Sequence, residues 1–327
     1  MEENVEKFLE GIERDLPRLY LDEIVFSNED EQRLAMINHK FYKSRNCYAS
    51  NAISLLAAIR QYVSLKKINF SGNPSYHDLA NLYYSLMTGN STLANTRESK
   101  NYYSSAVSTL KNRKNPKILL LGFSTVYSLE NLAALIHLSN LDNPKIIAFD
   151  INKQPLSEAN VYCGTKLYNV EIEYEQGNAI LSEFFEADSF DLIATHLFLT
   201  HIPDESKIRL INNVHKWLKP NSKFVDDEII VPGTIDRNKY AKYYRTLGRH
   251  YIPPLDHSSM EKVANWMEKF GTYSIFFPYN DLDKLHRDFS KFSSLRSDHL
   301  RTRNIYSESD SLLRCPVYNI TATKMRT

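Results

Sequence analysis

An α/β fold, with a mostly parallel, doubly wound sheet following a helical N-terminal region, is what this 327-residue sequence predicts. Three observations carry that expectation. "KILLLGF" (117–123) is a short unbroken apolar run, the pattern of a strand buried on both faces. From there to residue 230, strand-like and helix-like segments alternate at the lengths of strand–helix–strand units, which implies right-handed crossovers between parallel strands. "PVYNITATK" (316–324) then closes the chain as an alternating strand.

The elements follow in order. Val5, Phe8, Leu9 and Ile12 recur at helical spacing, and 49–63, 75–87 and 96–110 read as further helices, with "TGNST" (88–92) as a loop. "NRKNP" (112–116) is a polar linker, so residues 1–115 are expected to form a helical domain and 116–327 a sheet domain. In the latter, Leu129, Leu132, Ala133 and Ile136 mark a helix, "KIIAFD" (145–150) a strand and 156–167 a helix. "VEIEYE" (170–175) and "FDLIAT" (190–195) are strands, 205–218 a helix and "KFVDDEII" (223–230) a strand. An insertion at about 233–300 holds helical stretches at 237–251 and 258–271, then strand-like "TYSIFFPY" (272–279) and a polar helical segment to about Arg301.

Composition narrows the function. Hydrophobic residues at 43% suit a globular core, and a formal net charge of +1 gives no global attraction to nucleic acid or anionic lipid. Three widely spaced cysteines without a CxxC argue against a disulfide framework or a zinc site. The acidic N-terminus lacks signal-peptide order, and no apolar run reaches the roughly 20 residues of a membrane span. A soluble, cytoplasmic protein is expected, with no nucleic-acid or membrane partner.

Ligands of doubly wound sheets sit at the carboxyl ends of the strands. Gly122 ends the first strand, ahead of a helix whose N-terminus offers backbone N–H groups. The G-x-G-x-x-G fingerprint is absent, so this turn alone reads equally well as an ordinary strand–helix corner. Asp150 ends the second strand, twenty-eight positions later. A carboxylate there accepts from two adjacent ribose hydroxyls, or caps the next helix.

In this order, "IIAFDINKQPLSEAN", "FDLIATHLFLTHIPD" and "LKPNSKFV" resemble class I S-adenosylmethionine-dependent methyltransferases, across about Lys117 to Val231. The resemblance implies a Rossmann-like sheet ending in an antiparallel hairpin, which "TYSIFFPY" and "PVYNITATK" would supply. It implies S-adenosyl-L-methionine as cofactor, with Gly122, Phe123 and Ser124 cradling its methionine end. Asp150 would bind the ribose, Ile151 would pack on the adenine, Asn178 and Ala179 would lie by the adenine amino group, and Thr195 would lie where donor and acceptor meet. The chain departs from the family at Leu120, where an acidic residue is usual, and at Ser124 and Val126, where later glycines stand. A β-branched residue resists φ > 0, so the turn must differ or the cofactor must sit differently.

His196 and His201 flank "LFLT" in the loop after the fourth strand of the family pattern. Either imidazole suits a base for a hydroxyl or ammonium acceptor, or supports the loop. The expected base is His201, with His196 positioning the methionine moiety. Asp226, Asp227 and Glu228 read as solvated or substrate-orienting carboxylates, with a metal site the lesser reading and none expected. Tyr244, Arg245 and Tyr251 on the 237–251 helix, and Tyr103 before the sheet, are expected either to line the acceptor site under a helical lid or simply to pack. The expected enzyme is a methyltransferase acting at oxygen or nitrogen of a small molecule, with homodimer formation left open. The alternatives are a nicotianamine-synthase-like aminocarboxypropyl transferase and a non-catalytic binding or dimerisation module of the same fold.

Overall fold

The computed structural model describes residue 79 and residues 97–122, 126–251, 257–274, 276–306 and 312–325. The helices expected at 5–12 and 49–63 lie outside them, as does the one at 75–87 apart from residue 79. The chain divides into two compact units, 1–93 with 244–270 and 94–243 with 271–327.

The second unit opens with α1 (Arg97–Ser108). Then come β1 (Lys117–Leu121), α2 (Val126–Leu138), β2 (Lys145–Asp150) and α3 (Lys153–Cys163). A two-residue β3 (Lys166–Leu167), β4 (Val170–Gln176) and β5 (Phe190–Ala194) follow. The helix expected at 156–167 therefore stops early. Gly164 ends it in the left-handed region at φ +62, its N–H returning to Asn160 O, and the freed residues pair as β3 against β4. Next come α4 (Asp204–Trp217) and β6 (Leu218–Ile229). Helices α5 (Arg237–Tyr251) and α6 (His257–Tyr273) lead to α7 (Leu282–Asp288), β7 (Ser294–Tyr306) and β8 (Leu312–Lys324).

The sheet order is β3-β4-β2-β1-β5-β6-β8-β7, parallel from β4 to β6, with β8 and β7 antiparallel at one end and β3 at the other. Helices α1, α2 and α3 form one neighbouring set, and α4 packs with α7. Central strands are apolar because both faces are covered: Ile118, Leu119, Ile146, Leu192 and Ile193 are buried. On the α4 side, Phe224 stacks on Phe289, and Trp217 meets Phe185 edge-on.

The antiparallel hairpin is present, but its first strand is not "TYSIFFPY". Thr272 and Tyr273 end α6, Phe276 and Phe277 are exposed, and among the described residues of this segment only Tyr279 forms a bridge, to Ile230. The strand beside β8 is "SLRSDHLRTRNIY", which read as polar and helical. It is an edge strand, where charge costs little and discourages further pairing, and its register shifts between His299 and Arg301, which breaks the alternation that would have revealed it.

Candidate functional site

The carboxyl edge of the parallel strands is built by register. Leu121 lies beside Phe149 in the β1–β2 ladder, and Gly122 N–H donates to Phe149 O. One step further, Gly122 and Asp150 stand side by side at adjacent strand ends. Gly122 has φ +68, in the left-handed region that an L side chain adopts only with strain. The Phe198 ring covers its Cα, so close that a Cβ there would lie 2.1 Å from Phe198 Cδ2. Phe123 and Ser124 lie outside the described residues.

Asp150 is buried, and its Oδ1 accepts the Asn152 N–H at 2.8 Å. Burial raises its carboxyl to about 6, against the lowering effect of N–H groups of Asn152 and Ile151. Next to it, Ile151 is 58% exposed, an apolar side chain left in water beside a carboxylate. Gly177 N–H donates to Asp150 O, which brings the 177–181 loop to the same edge. In that loop Asn178 Oδ1 accepts from Ile180 N–H at 3.0 Å, and Ala179 is buried. Asn213 of α4 donates to the carbonyls of both Ala179 and Ile180.

Beyond β5 the ladder to β6 continues through the loop. Thr195 N–H donates to Val225 O, and Leu197 N–H to Asp227 O. Leu197 takes φ +48 to do so. Tyr103 of α1 donates its hydroxyl to Thr195 O. His196 Nδ1 lies 3.3 Å from Asp227 Oδ2; the Asp227 side chain is fully buried and that of His196 is 16% exposed. His201 ends a 3-10 turn, Leu199–His201, its backbone N–H donating to Phe198 O.

The three consecutive acids of β6 are all buried, not solvated. Alternation sends Asp226 and Glu228 to the face of Phe224, and Asp227 to the other. Both oxygens of Asp226, Glu228 Oε2, and the Thr195 and Thr200 hydroxyls find no hydrogen-bond partner among the described residues. Thr195 stands near enough to favour the Asp226 carboxylate slightly without closing a hydrogen bond to it. Burial, then the charge of Glu228, pushes Asp226 well above the usual carboxylate range. Burial raises Glu228 to about 8, opposed by the Ile229 N–H, by Lys207 and by the Thr200 N–H. Among the described residues no group of three or more His, Cys, Asp or Glu side chains is arranged to hold a metal ion.

Of the residues expected to line an acceptor site from α5, Tyr244 and Arg245 make contacts with α6. Tyr244 is buried edge-on against Phe270, and Arg245 pairs with Glu261 at 2.6 Å and Glu268 at 2.8 Å. The Tyr251 side chain lies outside the described residues. The sequence reading missed two features of the edge: Phe198 against Gly122, and Asp227 beside His196. The second was within reach, because "FDLIATH" and "KFVDDE" align as neighbouring parallel strands with His196 and Asp227 at matching positions.

The edge fits S-adenosylmethionine at its ribose and adenine end. Asp150 retains acceptor capacity at its strand end, and Ile151 offers an apolar surface already exposed.

Comparison with known proteins agrees with this topology. Residues 118–221 match the family model described as a methyltransferase domain. No curated protein matches the chain. Among solved structures, an S-adenosylmethionine-dependent methyltransferase of Methanosarcina mazei is 16% identical, covering 67% of this chain and 97% of its own, with a TM-score of 0.40. A Haemonchus contortus phosphoethanolamine N-methyltransferase, solved with phosphomonomethylethanolamine and S-adenosylhomocysteine, is 14% identical over 79% of this chain and 61% of its own, with a TM-score of 0.45. The CurJ carbon methyltransferase is 13% identical over 88% of this chain and 71% of its own, with a TM-score of 0.48. These likenesses are distant, so the family match and the strand order carry the assignment. Residues 118–221 match the methyltransferase-domain family, and the sheet they begin is Rossmann-like, mostly parallel with an antiparallel C-terminal hairpin.

Proposed function

We propose that this protein transfers the methyl group of S-adenosylmethionine to an oxygen or nitrogen of a small-molecule acceptor. The observation that carries the reading is the placement of Gly122 and the buried Asp150 carboxylate at adjacent strand ends, each one residue past the Leu121–Phe149 pair. When bound, the cofactor supplies an electrophilic sulfonium methyl. Asp150 accepts from ribose hydroxyls, Ile151 packs on the adenine, and the 177–181 loop, held to α4 by Asn213, borders the same pocket. The segment from Thr195 to His201 faces the acceptor. Tyr103 and the backbone of β6 hold its start in place, so the protein contributes mainly by positioning. The formal charge of +1 favours a small acceptor over a nucleic acid.

Calorimetry with S-adenosylmethionine and S-adenosylhomocysteine tests the reading. Binding is expected, and ligand at about 100 times its dissociation constant stabilises the fold by roughly 2.7 kcal/mol. Absence of heat and of a melting shift at millimolar ligand removes it. The mass of a labelled product separates methyl transfer from aminocarboxypropyl transfer.

A further inference from the structure

Five oxygens buried along one face of β6 and the loop beside it have no hydrogen-bond partner among the described residues. They are both carboxylate oxygens of Asp226, Oε2 of Glu228, and the hydroxyls of Thr195 and Thr200. All four residues are at most 1% exposed. Thr195 follows the Ala194–Val225 pair, which sets it level with Asp226 and on the same face. Its hydroxyl lies beside the Asp226 carboxylate, the Thr200 N–H lies beside the Glu228 carboxylate, and the charge of Glu228 reaches Asp226. Both threonines belong to the loop between β5 and α4, so the cluster joins that loop to β6.

A buried carboxylate without donors is costly, and two side by side are more so. The threonine hydroxyls could relieve the acids by donating to them, and neither does. A hydroxyl that stands beside a carboxylate without donating to it is placed as a fellow ligand, with lone pairs of both kinds turned to a hard cation. The charges around the cluster set the valence of that cation. Lys207, fully buried on α4, acts on Glu228. It also lies 2.7 Å from Asp204, but Asp204 has a second partner in Lys284 at 2.5 Å. Asp288, which accepts the Tyr279 hydroxyl, is partly exposed. With Lys207 set against Glu228 and Lys284 against Asp204, one buried negative charge is left over, that of Asp226. Asp227 alternates to the other face and takes no part. Among the described residues no three His, Cys, Asp or Glu side chains converge as a metal cluster, which fits a singly charged ion held by two carboxylates and two hydroxyls.

We propose that Asp226, Glu228, Thr195 and Thr200 bind one monovalent alkali cation, Na⁺ or K⁺, which fastens the β5–α4 loop to β6. A proton shared between the two acids satisfies only two of the five oxygens, whereas a cation satisfies all of them. The site stands independently of the methyltransferase reading, although its loop is the one assigned there to face the acceptor.

The test uses the full-length protein at pH 8.5, where protons compete least for the acids. Its melting temperature is measured in NaCl, KCl and N-methyl-D-glucamine chloride at equal ionic strength. Na⁺ or K⁺ is expected to raise it saturably, by about 2–4 °C at ten times the dissociation constant. Asp226→Asn is expected to abolish the difference between the salts. Thr195→Val is expected to move the midpoint of the cation titration about tenfold higher. A wild type indifferent to the cation overturns the site and leaves the acids to share a proton. A saturable response to CaCl₂ or MgCl₂ without one to Na⁺ or K⁺ overturns the monovalent assignment. An undiminished Na⁺ or K⁺ response in Asp226→Asn places the cation elsewhere. Where Asp226→Asn does not fold, an unshifted titration in Thr195→Val overturns the site in the same way.

Discussion

The Phe198 ring lies against the bare Cα of Gly122, joining the loop after β5 to the turn after β1. Gly122→Ala therefore meets two penalties, a left-handed backbone at φ +68 and a Cβ driven into an aromatic ring. A loss of about 2–4 kcal/mol in urea unfolding is expected. Adding Phe198→Leu should recover part of that loss. Strict additivity of the two changes would show that the contact is not shared.

If Asp150 holds the ribose as proposed, cofactor binding should depend on pH. Its carboxyl, raised to about 6 by burial, is protonated below that value and then offers fewer acceptor sites to ribose hydroxyls. Affinity for S-adenosylhomocysteine should rise as pH increases through 6, by at most about tenfold per unit. Asp150→Ala should weaken binding at pH 7.5 by about 1.5–3 kcal/mol and flatten the profile. Unchanged binding with lost stability would assign Asp150 to the cap of the following segment.

Glu228 makes stability depend on pH in the alkaline direction. A carboxyl raised from 4.5 to about 8 binds its proton more tightly in the folded state. Its contribution is fully present below the unfolded value and is lost as pH rises through about 8. Glu228→Gln should lose less stability than the wild type between pH 5 and pH 8.5, by an amount of the order of a few kcal/mol. Parallel curves for the two proteins would contradict it.

Lys207 is fully buried, with Nζ 2.7 Å from Asp204 Oδ1, bonded to Phe277 O and 4.3 Å from the centre of the Tyr279 ring. Phe277 N–H also donates to Thr200 O, so this lysine secures the segment next to His201. Lys207→Met should cost about 2–3 kcal/mol, read as a lower melting temperature.

Much of the carboxyl edge was legible because its residues sit at strand ends marked by local chemistry. "KILLLGF" and "KIIAFD" are apolar runs that end in a glycine and an aspartate, and strands buried on both faces allow little else. The hairpin was less legible. "TYSIFFPY" has a strand's composition but among its described residues a single bridge, Tyr279 to Ile230, whereas β7 has a solvated composition and a long partner in β8. Apolar content tracks burial, and an edge strand is defined by its hydrogen bonds to one neighbour.

The sequence by itself determined the kind and order of the parallel-sheet elements, since periodicity and turn residues act over a few neighbouring positions. Only the tertiary structure decided which residues meet across strands. Asp150 reaches Gly122, Asp227 reaches His196 and Phe198 reaches Gly122 through ladder register and loop closure between residues 28 to 76 positions apart in the chain. The three acids of β6 show the division: their carboxylate composition was plain, but their complete burial follows from a strand covered on both faces and flanked by β5 and β8. A one-residue slip of register would exchange Asp227 for Asp226 or Glu228 beside His196, and no local propensity distinguishes those registers; the packing of Phe224 on Phe289 does.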